Sequence, residues 1–318
     1  MANDTITAIE GILVGHARLS GIYSGCTVIL PQGGAAAGVD IRGGAPGTYG
    51  TDTLNPINLV ENINALFFSG GSAFGLSCAE GVRDYLKERN EGFFTGHGNV
   101  PIVAGAIIFD LNVNTTSIYP DAKLALKACR GASSQPVYEG SVGAGSGATV
   151  AKLFGSAQCV KAGVGSSLVS GAGGLKVGAL IVVNAFGEVY DPATGIRIAG
   201  SRNGHEKGDT VCALQKIKNF TDGFAPQNTV VGAIATNAIL NKVQLTKVAQ
   251  MAHDGLARTV FPAHTQYDGD TLFALSRGNI EGVEVSLVGA LAVIAVEQAI
   301  LRGVRKARGL PGIPGLAD

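Results

Sequence analysis

Short apolar runs alternate with amphipathic stretches along the whole 318-residue chain. CTVIL (26–30), AAGVDIRG (36–43), ALFFS (65–69) and VPIVAGAIIFDL (100–111) are rich in β-branched and aromatic residues and bounded by turn formers, which predicts strands. FGLSCAEGVRDYLKERN (74–90) ends in charges and PDAKLALKACRG (120–131) opens with Pro and Asp, so both predict helices. LKVGALIVVNAFGEVYD (175–191) predicts a hairpin turning near Asn184 to Gly187, and the polar stretch 200–227 a mobile connection. TVVGAIAT (229–236) is apolar on both alternating faces, as a strand covered on two sides must be. Leu245, Val248, Ala249, Ala252 and Leu256 stand at helical spacing and predict a helix over 243–258. DTLFALS (270–276) predicts a further strand, 282–307 a long buried helix with a basic exit, and LPGIPGLAD an extended tail. Strands covered on both faces, with helices between them, predict an α/β protein built as an αββα four-layer sandwich. A doubly wound parallel sheet ranks second, because evenly spaced βαβ units are few.

Composition narrows the partners. Charged residues are 15% of the chain, 24 basic against 24 acidic, so no footprint for nucleic acid or an anionic lipid surface is present. Surface so poor in charge favours association, and a homo-oligomer is expected. The N-terminus MANDTITAIEGILVGHARLS lacks a basic n-region and a continuous apolar h-region. The apolar run VSLVGALAVIAV (285–296) is short for a bilayer span. A core helix, no membrane partner and a cytoplasmic location are therefore expected. Five scattered cysteines without CxxC spacing argue against a disulfide framework or a zinc site. Glycine, at 47 residues, is about twice its usual share without any collagen-like period.

Several stretches carry candidate chemistry. Asn228-Thr229 sets a hydroxyl at the first position of a buried strand; it is either a turn ending at a strand or a nucleophile awaiting exposure of its own α-amine. SGGSAFG (69–75) has the strand-to-helix setting of a nucleophile elbow around Ser72, but Phe74 stands where the second glycine belongs. GAGSGATVAK (143–152) lacks GK[ST] and a following acid, so it does not read as a nucleotide loop, although such a loop can aim backbone N–H groups at one point. His264 lies near Asp268 and is either part of a triad or a surface residue. Asp268 and Asp270 flank Gly269, either as a hairpin turn or as paired carboxylates. No HExxH-type metal motif is present.

GILVGHA, SGCTVILP, GVDIRGGAPGT, FFSGGSAFGL, GSVGAGSGAT, IVVNAFGEVYDP, NTVVGAIATNA and HTQYDGDTLFALS, in this order, resemble the DmpA-like P1 (S58) peptidase family. That family contains aminopeptidase/esterases, β-peptidyl aminopeptidases and nylon-oligomer hydrolases, and the match runs from about residue 8 to 307. The resemblance implies an αββα, N-terminal-nucleophile-like fold of one domain, residues 1–318, self-processed between Asn228 and Thr229 into chains 1–228 and 229–318. It implies Thr229 as nucleophile and Asp268 and Asp270 as the pair orienting it. Lys152 would lie beside them, Asn184 would be the oxyanion donor, and neither metal nor organic cofactor is needed. An N-terminal threonine whose own amine serves as base is a known triad variant. A tetramer and a small peptide or amide substrate are also implied. By residue type alone, Lys152 reads equally as part of a solvated helix face and Asn184 as a hairpin-turn residue. Phe109 stands where well-known members carry a tyrosine contacting the reacting carbonyl, and a phenyl ring cannot donate that bond. Ile107 and Ile108 offer no acid for a substrate ammonium, which weakens an aminopeptidase reading while leaving amide or ester hydrolysis intact. The alternatives are an esterase built on Ser72 and an uncleaved, non-catalytic assembly or binding relative.

Overall fold

Two mixed sheets carry the strands read from the sequence. The computed structural model describes residues 3–114, 116–202, 209–216 and 228–318. In chain order the main strands are β1 (Ile12–Arg18), β2 (Gly25–Pro31), β3 (Ala35–Ile41), β4 (Thr48–Tyr49), β5 (Asn62–Ile63), β6 (Ala65–Ser69) and β7 (Val103–Ile107). They continue with β8 (Val164–Ser170), β9 (Lys176–Asn184), β10 (Thr229–Ala238) and β11 (Thr271–Ile280). The helices are α1 (Cys78–Glu88), α2 (Ala122–Arg130), α3 (Asp209–Lys216), α4 (Lys242–Thr259) and α5 (Val285–Arg305). One sheet runs β1-β2-β6-β7-β4 and the other β8-β9-β10-β11-β3-β5.

Alternation along each strand decides the layering. Val231, Ala233 and Ala235 of β10 face an inner core shared with Leu180, Val182 and Phe273, into which the other sheet sends Ile29, Leu66 and Phe68. Phe68 and Phe273 meet there with ring centroids 6.1 Å apart. The intervening Val230 and Ile234 face an outer core with Leu245, Val248 and Leu256 of α4 and Val288, Val296 and Ala299 of α5. On the far side, Val28 and Phe67 pack against Val82 and Leu86 of α1 and Leu124 and Ala128 of α2. The order is helices, sheet, sheet, helices: the expected αββα sandwich. Asp121 Oδ1 caps α2 by accepting from Leu124 N–H at 2.9 Å. Asn241 and Gln244 form a reciprocal capping box at the start of α4. At 21 residues α5 is long and apolar enough, by length and composition, to cross a bilayer. Its buried stripe instead lies in the outer core, as expected of a core helix.

Each sheet contains one parallel pair, β6 with β7 across α1 and β10 with β11 across α4. Parallel neighbours begin at the same end of a sheet, so Thr229 and the loop before Thr271 are brought together; this is the topological fact that builds the site.

Three expectations change. Residues 175–191 are not a hairpin: β9 pairs with β8 and β10, while Glu188–Tyr190 pairs with Arg197–Ala199 and Val260–Phe261. The strand read over 100–111 is shorter, and β7 stops at Ile107. Within the stretch read as a mobile connection, 209–216 form α3, and 203–208 and 217–227 lie outside the described residues.

Candidate functional site

Three strand ends converge at one edge of the six-stranded sheet. Thr229 opens β10, Asn184 closes the antiparallel β9 directly opposite it, and the loop Thr265–Asp270 leads into the parallel β11. Thr229 is buried, at 3% exposure, and its Oγ1 hydroxyl donates to the carbonyl oxygen of Asn228. The same oxygen accepts the Gly269 N–H at 3.0 Å. The hydroxyl and an aligned backbone donor thus meet at the carbonyl of the bond joining residues 228 and 229.

The two carboxylates have different partners. Asp270 Oδ1 accepts from Val230 N–H at 2.8 Å, and its Oδ2 accepts from His264 Nδ1 at 2.8 Å and His264 N–H at 3.1 Å. Asp268 Oδ2 accepts from Thr265 N–H at 2.8 Å and Thr265 Oγ1 at 2.6 Å. Glycine is needed where the exit of β3 presses on this loop. A Cβ on Gly43 would stand 2.2 Å from Asp268 O, and one on Gly269 would stand 2.9 Å from Thr229 Oγ1.

Lys152 completes the cluster from another direction. Its backbone N–H donates to Phe186 O at 2.9 Å, and Ala151 before it has φ +61, a turn that sends the lysine inward. Nζ donates to Asn184 Oδ1 at 2.8 Å and Asn184 O at 3.2 Å. Asn184 Oδ1 also accepts from Thr149 N–H at 3.1 Å, and its Nδ2 donates to Phe109 O at 3.0 Å. The asparagine amide is therefore oriented from three sides. Phe109 contributes its carbonyl; its half-buried ring supplies no donor.

Burial sets the charges. Loss of solvation lowers the Lys152 ammonium to about 7, although the negative charges of Asp268 and Asp110 oppose the shift. Burial raises Asp268 to about 6, helped by the neighbouring Asp270 charge and opposed by the Thr265 bonds and by Lys152. Beyond Phe109, burial also raises Asp110 to about 6. Its Oδ1 accepts from Gly71 N–H at 2.7 Å, while Oδ2 has no partner among the described residues. Because this raised acid is disfavoured as a carboxylate, its contribution to stability is full below pH 3.8 and lost as pH rises through about 6. Asp110→Asn is expected to stabilise the protein at pH 8 by on the order of 2–3 kcal/mol and not at pH 3.5, as read from melting curves at the two pH values.

Of the residues singled out in the sequence, Asn228, Thr229, Asp268, Asp270, Lys152, Asn184 and the Phe109 carbonyl belong to one connected neighbourhood. Lys152 is a buried coil residue rather than part of a solvated helix face. His264 bonds Asp270 rather than Asp268, and among the described residues the Thr229 hydroxyl is hydrogen-bonded to Asn228 O, not to this ring as a triad base would require. Ser72 has φ +54 at the start of a 3-10 turn, and among the described residues no hydrogen bond ties its Oγ to a histidine or an acid. Sequence reasoning missed Gly269 and Thr265. The available signals were the Asp-Gly-Asp triplet, where the middle residue can be chosen for close approach, and the hydroxyl three residues before Asp268. Among the described residues, no group of three or more His, Cys, Asp or Glu is placed to hold a metal ion.

Comparison with known proteins places this geometry. The profile of peptidase family S58 matches residues 4–317. An uncharacterized aminopeptidase of Mycobacterium tuberculosis (strain H37Rv) is 40% identical over 343 aligned positions, covering 99% of this chain and 97% of that protein. A 6-aminohexanoate-oligomer endohydrolase of Kocuria sp. (strain KY2) is 30% identical, covering 93% of this chain and 84% of its own length. Among solved structures, the L-aminopeptidase D-Ala-esterase/amidase of Ochrobactrum anthropi, described as a new variant among the Ntn hydrolase fold, superposes with a TM-score of 0.73. It is 19% identical and the match covers 99% of this chain and 91% of that one, a likeness of fold. With the family profile spanning nearly the whole sequence and relatives matching it end to end, this chain belongs to peptidase family S58 and is a hydrolase.

Proposed function

We propose that the protein is a self-processing N-terminal-nucleophile hydrolase that cleaves amide bonds in small linear substrates, with Thr229 as nucleophile. The observation that carries this reading is the convergence of the Thr229 hydroxyl and the Gly269 N–H on the Asn228 carbonyl. In the precursor, Thr229 Oγ1 attacks the Asn228 carbonyl carbon, and charge gathering on the oxygen is held by the Gly269 N–H. The C–N bond breaks as the nitrogen takes up the proton lost by the hydroxyl, which frees the α-amine of Thr229 and leaves an ester on its oxygen. Water hydrolyses that ester, restoring the hydroxyl and giving chains 1–228 and 229–318.

Turnover reuses the same atoms. An α-amine has a reference pKa of about 7.7–8.0, so it is suited to take the hydroxyl proton near neutrality, whereas an ordinary lysine is not. Burial and the nearby Lys152 ammonium both favour its neutral form. Oγ1 then attacks the substrate carbonyl, Asn184 Nδ2 donates to the oxyanion, and the amine returns the proton to the leaving nitrogen; water, giving a proton to the same amine, then opens the acyl ester and restores the hydroxyl. Asp270 holds the start of β10 through Val230 N–H, and Asp268 supplies negative charge opposite Lys152.

Relatives named as aminopeptidases and as 6-aminohexanoate-oligomer endohydrolases both point to amide substrates. The lack of an acid at Ile107 and Ile108 favours an oligoamide over a peptide held by its ammonium. Exposed Ile57, Leu59 and Phe94, at 88%, 82% and 70%, support a homo-oligomer. The test is amine release from 6-aminohexanoate oligomers, β-peptides and amino-acid amides, with Thr229→Ala alongside. Cleavage by the wild type alone is expected. Activity retained by Thr229→Ala would favour the Ser72 esterase, and an uncleaved, inactive wild type would favour a binding relative.

A further inference from the structure

His264 makes contacts that the reaction above leaves unused. Its Nδ1 and its backbone N–H converge on the same oxygen, Asp270 Oδ2, at 2.8 and 3.1 Å. Its backbone has φ +57, a conformation that costs a non-glycine residue energy and persists only where surrounding contacts demand it. With Nδ1 donating, Nε2 is the lone-pair nitrogen; it is buried and without a partner among the described residues. His253 of α4, fully buried, stands edge-on to this ring with centroids 4.9 Å apart at 73°. The Nε2 of His253 lies 3.0 Å from the carbonyl oxygen of Asp40 and donates to it, which leaves Nδ1 as its lone-pair nitrogen, likewise unpartnered. Burial lowers His253 to about 4, so a neutral imidazole backs His264 at neutral pH.

We infer that His264 is a positioning residue: it donates Nδ1–H to Asp270 Oδ2, so that Oδ1 stays on Val230 N–H and the first residue of β10 is held in its reactive orientation. This rests on the reading of Thr229 as nucleophile. The path runs His253, His264, Asp270, Val230, Thr229, and gives the histidine a role through Asp270. The charged and titratable groups around Asp270 are Asp268 on its own loop, Lys152 beyond Asp268, His253 on α4, and Asp40 on β3, the last paired with Arg42.

The experiment compares His264→Gly with His264→Asn. Glycine accepts φ +57 but removes the side-chain donor, whereas asparagine tolerates this conformation and keeps an N–H at a similar reach. His264→Gly is expected to lower kcat on a 6-aminohexanoate oligomer ~10- to 100-fold and to change KM by less than about twofold, while His264→Asn stays within about threefold of wild type. Equal behaviour of the two variants, or a wild-type kcat in His264→Gly, would overturn the inference. Nitrogen NMR of intact wild type decides the matter even if the variants fail to fold: an Nδ1–H tautomer at His264 is expected, and an Nε2–H tautomer contradicts it. If wild type yields no chain beginning at Thr229, the underlying reading fails. If processing is normal and His264→Gly is silent, only this inference fails.

Discussion

Thr229→Ala is expected to leave one uncleaved polypeptide of 32.2 kDa and to abolish amide hydrolysis. The methyl group of alanine can neither attack the Asn228 carbonyl nor, later, a substrate, so processing and turnover are lost together. Removal of a nucleophile of this type costs ~10⁴- to 10⁶-fold in kcat. The same change leaves Asn228 O with the Gly269 N–H, and the side chain removed is small, so the fold should be retained. Thr229→Ser keeps the hydroxyl and is expected to process and turn over, within about tenfold of wild type. Denaturing electrophoresis and an amine-release assay on the same samples read both outcomes. A Thr229→Ala chain that still divides at residue 228 would remove the hydroxyl from the mechanism.

Lys152→Met should separate stability from activity. The lysine holds Asn184 Oδ1 at 2.8 Å, and its loss removes one of the donors that orient the amide, leaving Thr149 N–H and Phe109 O in place. Losing one well-aimed oxyanion donor costs ~10²- to 10³-fold in kcat, and the variant should approach that loss with little change in KM. The acid limb of its rate profile should also move to higher pH, because the Lys152 charge holds Asp268 down. Stability should move the other way. The folded lysine titrates at about 7 against 10.5 for a free side chain, so the fold disfavours its charged form. That penalty is full below pH 7 and vanishes as pH rises through 10.5, so the Met variant should melt no lower than wild type at pH 6 and gain nothing near pH 11. A variant that loses stability at pH 6 while keeping its kcat would refute the assignment.

The layered fold was legible because strand alternation and helix periodicity agree along most of the chain. Val231 and Ala233 face one core and Val230 and Ile234 the other, as two-sided burial of TVVGAIAT requires. The hairpin over 175–191 was misread for a physical reason. An apolar strand followed by a turn-forming Asn-Ala-Phe-Gly fits many partners, and the β8 and β10 edges took both sides of β9. Thr229 stood out as a hydroxyl opening a buried run, but its proximity to Asp270 depends on a parallel pairing across α4 that local pattern cannot express. Lys152 was ambiguous because its inward turn depends on Ala151 at φ +61 and on carbonyls from Phe186 and Gly187. His264 was noticed for the wrong acid, since sequence distance does not tell which of two carboxylates a ring will face.

The central claim is that cutting the backbone creates the base that activates Thr229. Intact mass spectrometry with N-terminal sequencing of catalytically active material tests it most directly. The account predicts two polypeptides, residues 1–228 and 229–318, the second beginning TVVGAIA. A single 32.2 kDa chain with full amide-hydrolase activity would contradict it.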